Sequence, residues 1–374
     1  MSTSGPLKTD AVTRELEADV VVVGAGPAGC ASAIALARSG LRVAVFGRAQ
    51  PGERIGESLS PGAMALLEHL GLRERFLADG PLPCHANASA WGSAALTWHD
   101  FLRDPRGHGF HVDRARFETL LRERAAEVGA RLFEGEAPRD LRCENGVWRA
   151  EASAGHPAVS ARYGVDASGR AASFARRQGV QRETAWEQVA LFAFARATRP
   201  IDEAFTLIEA VPEGFWYSAP VPGGRFVLSL FTEAALHHVP SARSAEGMGA
   251  LLAASTHTRA RLEAHGATLE GLPRFVDAGS ARLATPHGPN WVAVGDAALT
   301  YDPISAHGLT LALRTGIDAA SALVADARGD TSALPAYGAR LTRAFDDYRR
   351  EALRIYRSEQ RWPDAPYWRT RHGL

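Results

Sequence analysis

Near its N-terminus the chain shows a succession of apolar patterns that predicts a strand, a helix and a second strand. Residues 19–23 are mostly valine, which is typical of a buried parallel strand. Residues 28–39 are rich in alanine, isoleucine and leucine, and Gly40 follows at the position where a helix commonly ends. Residues 41–46 form a second apolar run. The pattern therefore predicts a β-α-β unit.

Farther along, the pattern changes to short apolar runs separated by turn residues, which is typical of an antiparallel sheet. The predicted strands are a pair within residues 91–98, and then residues 189–195, 205–209, 214–219 and 225–231. Apolar runs also predict helices over residues 244–265 and 308–325. Residues 341–355 repeat apolar side chains at helical spacing, which predicts an amphipathic C-terminal helix.

The order of these patterns predicts an α/β protein in which a Rossmann-like domain is interrupted by a mostly antiparallel sheet domain. The expected boundaries are residues 18–185 for the first part of the Rossmann-like domain, 186–285 for the inserted sheet domain, 286–330 for the return to the first domain, and 331–374 for a C-terminal helix and tail.

Composition limits the classes of partner. The formal net charge is zero, so charge gives no reason to expect nucleic acid or an anionic membrane as a partner. The first 17 residues are polar and do not resemble a signal peptide, and no apolar run is expected to be long enough to span a membrane. The three cysteines lie far apart and show no metal-ligand spacing, which favours a cytoplasmic protein without a metal site.

The positive charge comes almost entirely from arginine. Of the 42 lysine and arginine residues, Lys8 is the only lysine. Because no lysine follows the first predicted strand, a mechanism that needs a lysine base, a Schiff base or a lysine-bound oxidant is disfavoured.

The turn of the β-α-β unit carries a G-x-G-x-x-G motif. Gly24 permits a tight turn, Gly26 allows close approach of a diphosphate, and Gly29 allows the helix and strand to pack closely. The acidic residue that usually binds a ribose is replaced by Gly47. A water molecule or Glu53 could take that role, or Arg48 could favour a phosphate-bearing ligand.

A second motif follows the predicted strand at residues 291–294. Gly295 and Asp296 come at the end of that strand, where ligands of parallel sheets bind, and the Asp296 carboxylate could accept hydrogen bonds from a polyol. The chain then runs from Asp302 to a helix that begins near Gly308. The dipole of that helix would stabilise negative charge on the end of a cofactor laid across the sheet.

These motifs, together with Arg114 and residues 166–170, resemble the FAD-dependent monooxygenases of the hydroxybenzoate-hydroxylase fold. Residues 56–58 and 166–169 resemble the flavin-dependent halogenase branch of that fold. The resemblance implies FAD as the cofactor. The cofactor-binding residues that it implies are Gly24, Gly26, Pro27, Ala28, Gly29, Arg48, Arg54, Arg114, Asp166, Gly295, Asp296, Pro303, Ala306, Gly308 and Leu309.

The chain departs from the halogenases at two features that they share. Residues 215–220 retain only the proline and the aromatic character of their W-x-W-x-I-P segment, and no active-site lysine is available. Residues 214–220, 302–308 and 361–368 resemble flavoprotein maturases that modify a tryptophan during tryptophylquinone formation. The resemblance implies a monooxygenase that hydroxylates an electron-rich aromatic ring, including a tryptophan held in a partner protein.

Six residues are candidates for catalysis or substrate binding. His307, Glu57 and Ser58 are the catalytic candidates; a loop histidine bonded to backbone and helix-capping side chains are the structural alternatives. Trp216, Tyr217 and Trp91 are the substrate candidates, and core packing is the alternative for each of them.

Other functions stay open. No second nucleotide motif is visible, so we expect a separate NAD(P)H-dependent flavin reductase to supply electrons. The alternatives are a small-molecule aromatic hydroxylase, a flavin-dependent halogenase, a flavin reductase that acts on an alkene, and an FAD-bound chaperone for a partner oxidase.

Overall fold

The computed structural model describes residues 15–48, 52–152, 156–235, 243–305 and 307–373. The strands are β1 Leu16–Val23, β2 Val43–Arg48, β3 Ser58–Leu59, β4 Leu82–Cys84, β5 Ala86–Ala90, β6 Thr97–Asp100, β7 Gly109–His111, β8 Arg131–Gly135, β9 Asp140–Glu144, β10 Val147–Glu151, β11 Val159–Asp166, β12 Arg182–Trp186, β13 Val189–Arg196, β14 Phe205–Val211, β15 Gly214–Val221, β16 Arg225–Thr232, β17 Thr268–Asp277, β18 Ser280–Leu283, β19 His287–Gly288, β20 Trp291–Ala293 and β21 Leu299–Thr300. The helices are α1 Pro27–Arg38, α2 Ala63–His69, α3 Arg73–Ala78, α4 Arg114–Glu127, α5 Ser173–Arg177, α6 Ala245–Ala253, α7 His257–Ala264, α8 Gly308–Ala327, α9 Ala333–Ser358 and α10 Pro366–His372.

A central sheet carries the β-α-β unit that the sequence predicts. Strands β20, β11, β1, β2 and β8 lie side by side and run parallel, while β19, β10 and β9 extend the sheet with antiparallel pairs. Helix α1 packs closely on α8, because a side chain at Gly316 would lie 2.5 Å from the Ala28 carbonyl oxygen. The ends of β1, β11 and β20 therefore meet beside the start of α1.

A second, seven-stranded sheet has the order β17-β13-β16-β15-β14-β5-β6. All of its pairs are antiparallel except β14 with β5. Its strands alternate between two buried faces. One face, which we call the inner face, carries Phe215 and Tyr217; the other carries Trp216 and packs against Met248 of α6 and Leu262 of α7. The predicted α/β fold with a mostly antiparallel second sheet is confirmed.

The helix predicted over residues 244–265 is wrong, because the structure has two helices there. A buried carboxylate, that of Glu209, accepts hydrogen bonds from the backbone N–H groups of Thr256, His257 and Thr258 and so caps the start of α7. The cap comes from a distant strand, and the local apolar pattern contains no sign of it.

The strand pair predicted within residues 91–98 is also corrected. The paired strands are β5 and β6, and residues 91–96 are the connection between them. Gly92 has φ +69° in this connection, and a side chain there would lie 2.8 Å from the Ser358 carbonyl oxygen. The seven-stranded sheet thus takes two strands from outside the segment 186–285 that was expected to form it.

Helix α8 is long and apolar enough, by length and composition alone, to cross a membrane, and the sequence estimate that no run reaches this length was wrong. Its apolar side chains pack against α1 on one side and α9 on the other. On α9 the Tyr337 hydroxyl donates to the Ala293 carbonyl oxygen at 2.8 Å, which fixes α9 to the central sheet. These contacts are those of the core helix of a globular domain.

Candidate functional site

The turn between β1 and α1 is shaped by three glycines. Gly24 has φ +118°, and a side chain there would lie 2.0 Å from the Ala167 carbonyl oxygen; a side chain at Gly29 would lie 1.9 Å from the Gly24 carbonyl oxygen. Gly26 differs, because a Cβ there would meet no protein atom within 4 Å. The space beside Gly26 fits a diphosphate, and the backbone N–H groups at the start of α1, from Ala28 onward because Pro27 has none, would bind it.

Asp166 supports this turn from below. Its buried carboxylate accepts hydrogen bonds from the Ser168 N–H and hydroxyl at 3.0 and 2.6 Å, and from the Ala175 N–H at 2.8 Å. Burial raises the pKa of Asp166 although these hydrogen bonds oppose the shift. The carboxylate therefore holds the backbone of Ala167 against Gly24. Asp166 thus contributes to the cofactor site indirectly, through the position of this backbone.

The packing of the turn against β2 explains why Gly47 stands where an acidic residue usually binds the ribose. A side chain at Gly47 would bring its Cβ within 2.5 Å of the Ala25 Cβ, so the close approach of strand and turn favours glycine there. Glu53 forms ion pairs with Arg225 at 2.5 Å and Arg274 at 3.5 Å, which directs it to the seven-stranded sheet. Arg48 is exposed at the end of β2.

Two predicted cofactor residues, Arg54 and Arg114, converge on one buried carboxylate that sequence analysis missed. The Glu118 side chain forms ion pairs with Arg54 at 2.6 Å and with Arg114 at 2.8 Å. Arg114 also donates to the carbonyl oxygens of Ile55 and Gly56 at 3.3 and 2.9 Å. The two arginines thus fix the segment that leads to Glu57. The four-residue spacing of Arg114 and Glu118 on a helix was the available signal.

The second motif lies next to the first. Gly295 has φ +54°, and a side chain there would lie 2.7 Å from the Cβ of Ala28. Asp296 is partly exposed, and its carboxylate lies 3.8 Å from Arg170 Nε. Arg182 donates to the Asp296 carbonyl oxygen at 3.0 Å. The Asp296 carboxylate is therefore anchored beside the glycine turn and retains room to accept further hydrogen bonds.

The start of α8 lies at some distance from the diphosphate turn. Gly308 precedes Gly316 by eight residues, which is about 12 Å along a helix, and Gly316 is the residue that touches Ala28. His307 and Gly308 are exposed, Pro303 is half-buried and Leu309 is buried. Ala306 lies outside the described residues. An extended dinucleotide could therefore reach from one helix start to the other.

The segment before α2 joins the start of α8. The Ser60 hydroxyl lies 2.9 Å from the Thr310 hydroxyl, and the Ser60 N–H donates to the same oxygen at 3.3 Å. Ile55 and Ile304 both pack against the inner face of the seven-stranded sheet. Residues 54–60, the start of α8 and strand β15 therefore enclose one region, which we call the candidate active site.

Glu57, Ser58 and Tyr217 meet in this region. The Ser58 hydroxyl lies 2.7 Å from the Tyr217 hydroxyl, which also hydrogen-bonds the Glu57 carboxyl group, and Glu57 Oε2 accepts from the Gly56 N–H at 2.9 Å. Burial raises the pKa of Glu57, and burial together with the charge of Glu57 raises the pKa of Tyr217 well above its usual value. The three side chains form a buried chain of proton donors and acceptors.

His111 lies behind Ser58, its partner across the β3–β7 pair. Its Nε2 lies 2.8 Å from the Thr206 hydroxyl, and its buried Nδ1 has no hydrogen-bond partner among the residues that the structure describes. Burial lowers the pKa of His111 to about 3, and the charge of Arg261 lowers it further. The ring is therefore neutral at physiological pH.

His111 makes the protein less stable in mild acid. Between its ordinary pKa of 6.5 and the folded value of about 3, the unfolded chain binds a proton that the folded chain refuses. The free energy of unfolding should fall by about 1.4 kcal/mol per pH unit as the pH drops through this range. Denaturant titrations of wild type and His111→Gln at several pH values test this. A variant with the same pH slope as wild type would contradict it.

The predicted substrate residues separate into two groups. Tyr217 and Trp91 both lie on the inner face, where the Trp91 ring contacts Phe215 edge-on at 5.6 Å. Trp216 points to the opposite face and is buried beneath α6 and α7. Since side chains alternate along a strand, neighbours such as Trp216 and Tyr217 cannot line one pocket. The substrate role expected for Trp216 is corrected to core packing.

Comparison with known proteins agrees with this geometry. The family model described as FAD binding domain matches residues 17–348. LodB of Marinomonas mediterranea, described as a putative FAD-dependent oxidoreductase, is 28% identical over 363 residues, which cover 95% of this chain and 97% of LodB.

Two solved structures share the fold. The flavin-dependent halogenase CmlS superposes with a TM-score of 0.84 at 23% identity, over 96% of this chain and 68% of CmlS. QhpG, described as a peptidyl tryptophan dihydroxylase essential for tryptophylquinone cofactor biogenesis, superposes with a TM-score of 0.76 at 24% identity, over 95% of this chain and 78% of QhpG. The predicted cofactor and enzyme class are confirmed: the chain belongs to the FAD binding domain family and is an FAD-dependent oxidoreductase of the monooxygenase type with a halogenase-like fold.

Proposed function

We propose that the protein hydroxylates an electron-rich aromatic ring, and that this ring is a tryptophan side chain of a partner protein during biogenesis of a quinone cofactor. The observation that carries the proposal is the pairing of Tyr217 with Glu57 on an aromatic surface beside the FAD domain. The full-length similarity to LodB and the activity in the description of QhpG support the protein-bound tryptophan as substrate.

When bound and reduced, FAD would supply the two electrons that allow one atom of O2 to enter the ring while the other leaves as water. Gly24, Gly26 and Gly29 would hold the diphosphate, and Asp296 would hold the polyol. Arg54 and Arg114 would add positive charge near the cofactor, of which their shared partner Glu118 offsets one unit. The protein's own part is to orient the ring and keep bulk water out.

The inner face suits an aromatic substrate. Phe215 is fully buried and contacts the Trp91 ring edge-on at 5.6 Å, so the two rings form an aromatic backing for Tyr217; edge-on contacts between rings add stability beyond apolar burial. Tyr217 places a hydroxyl at the end of this surface, where it can face the ring carbon that reacts.

Glu57 and Tyr217 would move the proton that hydroxylation releases. The ring carbon that gains oxygen must lose its proton before aromaticity is restored. The Tyr217 hydroxyl accepts this proton while it passes its own proton to the Glu57 carboxylate, and the Ser58 hydroxyl holds the Tyr217 oxygen in place. The raised pKa of Glu57 makes it a stronger base than an exposed glutamate, as general base catalysis requires.

Halogenation is the second candidate, because the fold is shared with CmlS. The only lysine in the sequence is Lys8, which lies outside the described residues, and the described residues of the candidate active site include no lysine. We therefore place hydroxylation first. Bromide in the assay separates the two, because a halogenase would give a brominated product.

The proposal is tested by the intact mass of substrates after incubation with the protein, a separate flavin reductase, NADH and air. We expect one or two added oxygens on a quinone-enzyme precursor and no change in free tryptophan. Omission of the reductase should abolish the reaction, since no second nucleotide motif is present in the sequence. Oxygen added only to a free aromatic would contradict a protein substrate. Binding of the precursor with no change in mass would identify an FAD-bound chaperone instead.

A further inference from the structure

The C-terminal tail, residues 359–373, turns back onto the inner face of the seven-stranded sheet. Trp368 of α10 is fully buried there and donates its indole N–H to the Val211 carbonyl oxygen at 2.8 Å. Its ring contacts Trp91 edge-on at 5.3 Å. The tail therefore packs on the same surface that carries Phe215 and Tyr217.

Arg371 of α10 is a buried cation. Its side chain is 2% exposed, and its Nη2 donates to Gln188 Oε1 at 2.7 Å and to the Glu187 carbonyl oxygen at 3.1 Å. Its Nε and Nη1 have no hydrogen-bond partner within the described part of the chain. The guanidinium group lies 4.8 to 5.6 Å from the ring centres of Tyr367, Tyr356 and Trp186. A buried charge in such surroundings requires an anion close by.

The carboxylate on the other side of these rings is that of Asp302, which is buried at the start of the connection to α8 and whose charge acts on Arg371. Its Oδ2 accepts hydrogen bonds from the Tyr356 hydroxyl at 2.7 Å and from the Trp186 indole at 3.0 Å. Its Oδ1 accepts from the Ile304 N–H at 3.0 Å. Tyr356 and Trp186 thus donate to the Asp302 carboxylate, while their rings face the Arg371 guanidinium group.

The hydrogen bonds continue from the tail to this carboxylate without a gap. The Tyr367 hydroxyl donates to Gln188 Oε1 at 2.7 Å and lies 3.3 Å from the Tyr356 hydroxyl, which donates to Asp302. Movement of α10 would therefore withdraw the Tyr367 hydroxyl from the Tyr356 hydroxyl that donates to Asp302, and would remove the charge of Arg371 from the far side of these rings. Because Asp302 Oδ1 also accepts from the Ile304 N–H, a shift of the Asp302 carboxylate would reach the backbone that precedes α8.

We propose that Arg371 is a positioning residue for the flavin site: the docked tail holds the Asp302–Ile304 segment where the flavin ring requires it, so docking of the tail and binding of FAD stabilise each other. Linkage makes the effect reciprocal, because whatever the tail adds to FAD affinity, bound FAD adds to the docking of the tail. The inference depends on FAD binding and not on the proposed hydroxylation.

The first test compares Arg371→Met with Arg369→Met. Arg371→Met removes the buried charge and keeps much of the side-chain volume, whereas Arg369 lies exposed on the same helix and serves as the matched control. We expect FAD affinity of the apoprotein, measured by flavin fluorescence without substrate or oxygen, to fall about 10-fold in Arg371→Met and to stay within about twofold in the control. Arg371→Lys, which restores the charge, should recover part of the affinity. Equal affinity in a folded Arg371→Met protein would overturn the proposal.

A second test uses the wild-type protein and does not depend on the folding of a variant. Hydrogen exchange of the α10 amides is followed with and without FAD. We expect bound FAD to slow exchange in α10 about 10-fold, while the amides of the distant helix α6 change little. Exchange in α10 that is the same with and without FAD would overturn the proposal, whatever the outcome of the hydroxylation assay.

Discussion

Replacing Glu57 with glutamine is expected to lower product formation at least about 100-fold while FAD stays bound, because the amide cannot take the proton that Tyr217 passes on. Tyr217→Phe should have a similar effect, since it removes the hydroxyl that links substrate and carboxylate. The Glu57→Gln variant should fold as well as wild type, because burial already disfavours the charged carboxylate. The amount of product formed per reduced flavin measures the loss of activity, and the FAD absorbance spectrum shows whether FAD stays bound.

Tyr163→Phe is the matched control for these variants. It also removes a hydroxyl from a buried tyrosine, but that hydroxyl donates to Asp326 near the far end of α8. Its product yield should stay close to wild type. Wild-type yield in both Glu57→Gln and Tyr217→Phe would show that the pair does not carry the proton, and the acid–base assignment would then be abandoned.

Gly26→Ala should weaken FAD binding about 100-fold, or about 2.8 kcal/mol, without unfolding the protein. Gly26 has φ −79° and ψ −176°, an extended conformation that alanine adopts readily, and a Cβ there meets no protein atom within 4 Å. The methyl group would instead occupy the space that we assign to the diphosphate. Titration of the apoprotein with FAD measures the effect.

Gly249→Ala controls for the loss of a glycine. Gly249 lies in α6, where an added methyl group would likewise meet no protein atom within 4 Å, and the helix gains propensity on substitution. FAD affinity should be unchanged and thermal stability unchanged or higher. Unaltered FAD affinity in Gly26→Ala would place the diphosphate elsewhere.

The fold could be predicted where the signal is local. The valine run of β1, the alanine-rich α1 and the glycines between them are adjacent in sequence, and their packing requirements are visible in residue size alone. The break between α6 and α7 could not be predicted in this way, because its cause is the Glu209 carboxylate on β14. The place of β5 and β6 in the second sheet likewise depends on a parallel pair between β5 and β14.

In the candidate site too, local features could be predicted from the sequence and contacts between distant residues could not. The sequence indicated Glu57, Ser58 and Tyr217 separately, but their hydrogen bonds join residues 159 positions apart. It indicated one role for Trp216 and Tyr217, although strand alternation puts them on opposite faces. Tyr356 links Asp302 and Arg371, because its hydroxyl donates to Asp302 and its ring faces Arg371. This link depends on the return of the tail across the sheet, for which no local sequence pattern exists.

Under the proposed function, the protein places an atom of molecular oxygen on an aromatic ring. The most direct measurement is the mass of the tryptophan-containing peptide from the precursor after reaction under isotopically heavy oxygen gas, compared with ordinary air. We expect each added oxygen to carry the heavy isotope, and we expect Glu57→Gln to reduce the labelled peptide while FAD remains bound. Added oxygen that carries only the isotope of the water would contradict the proposed hydroxylation, as would an unmodified peptide from a protein with FAD bound and reduced.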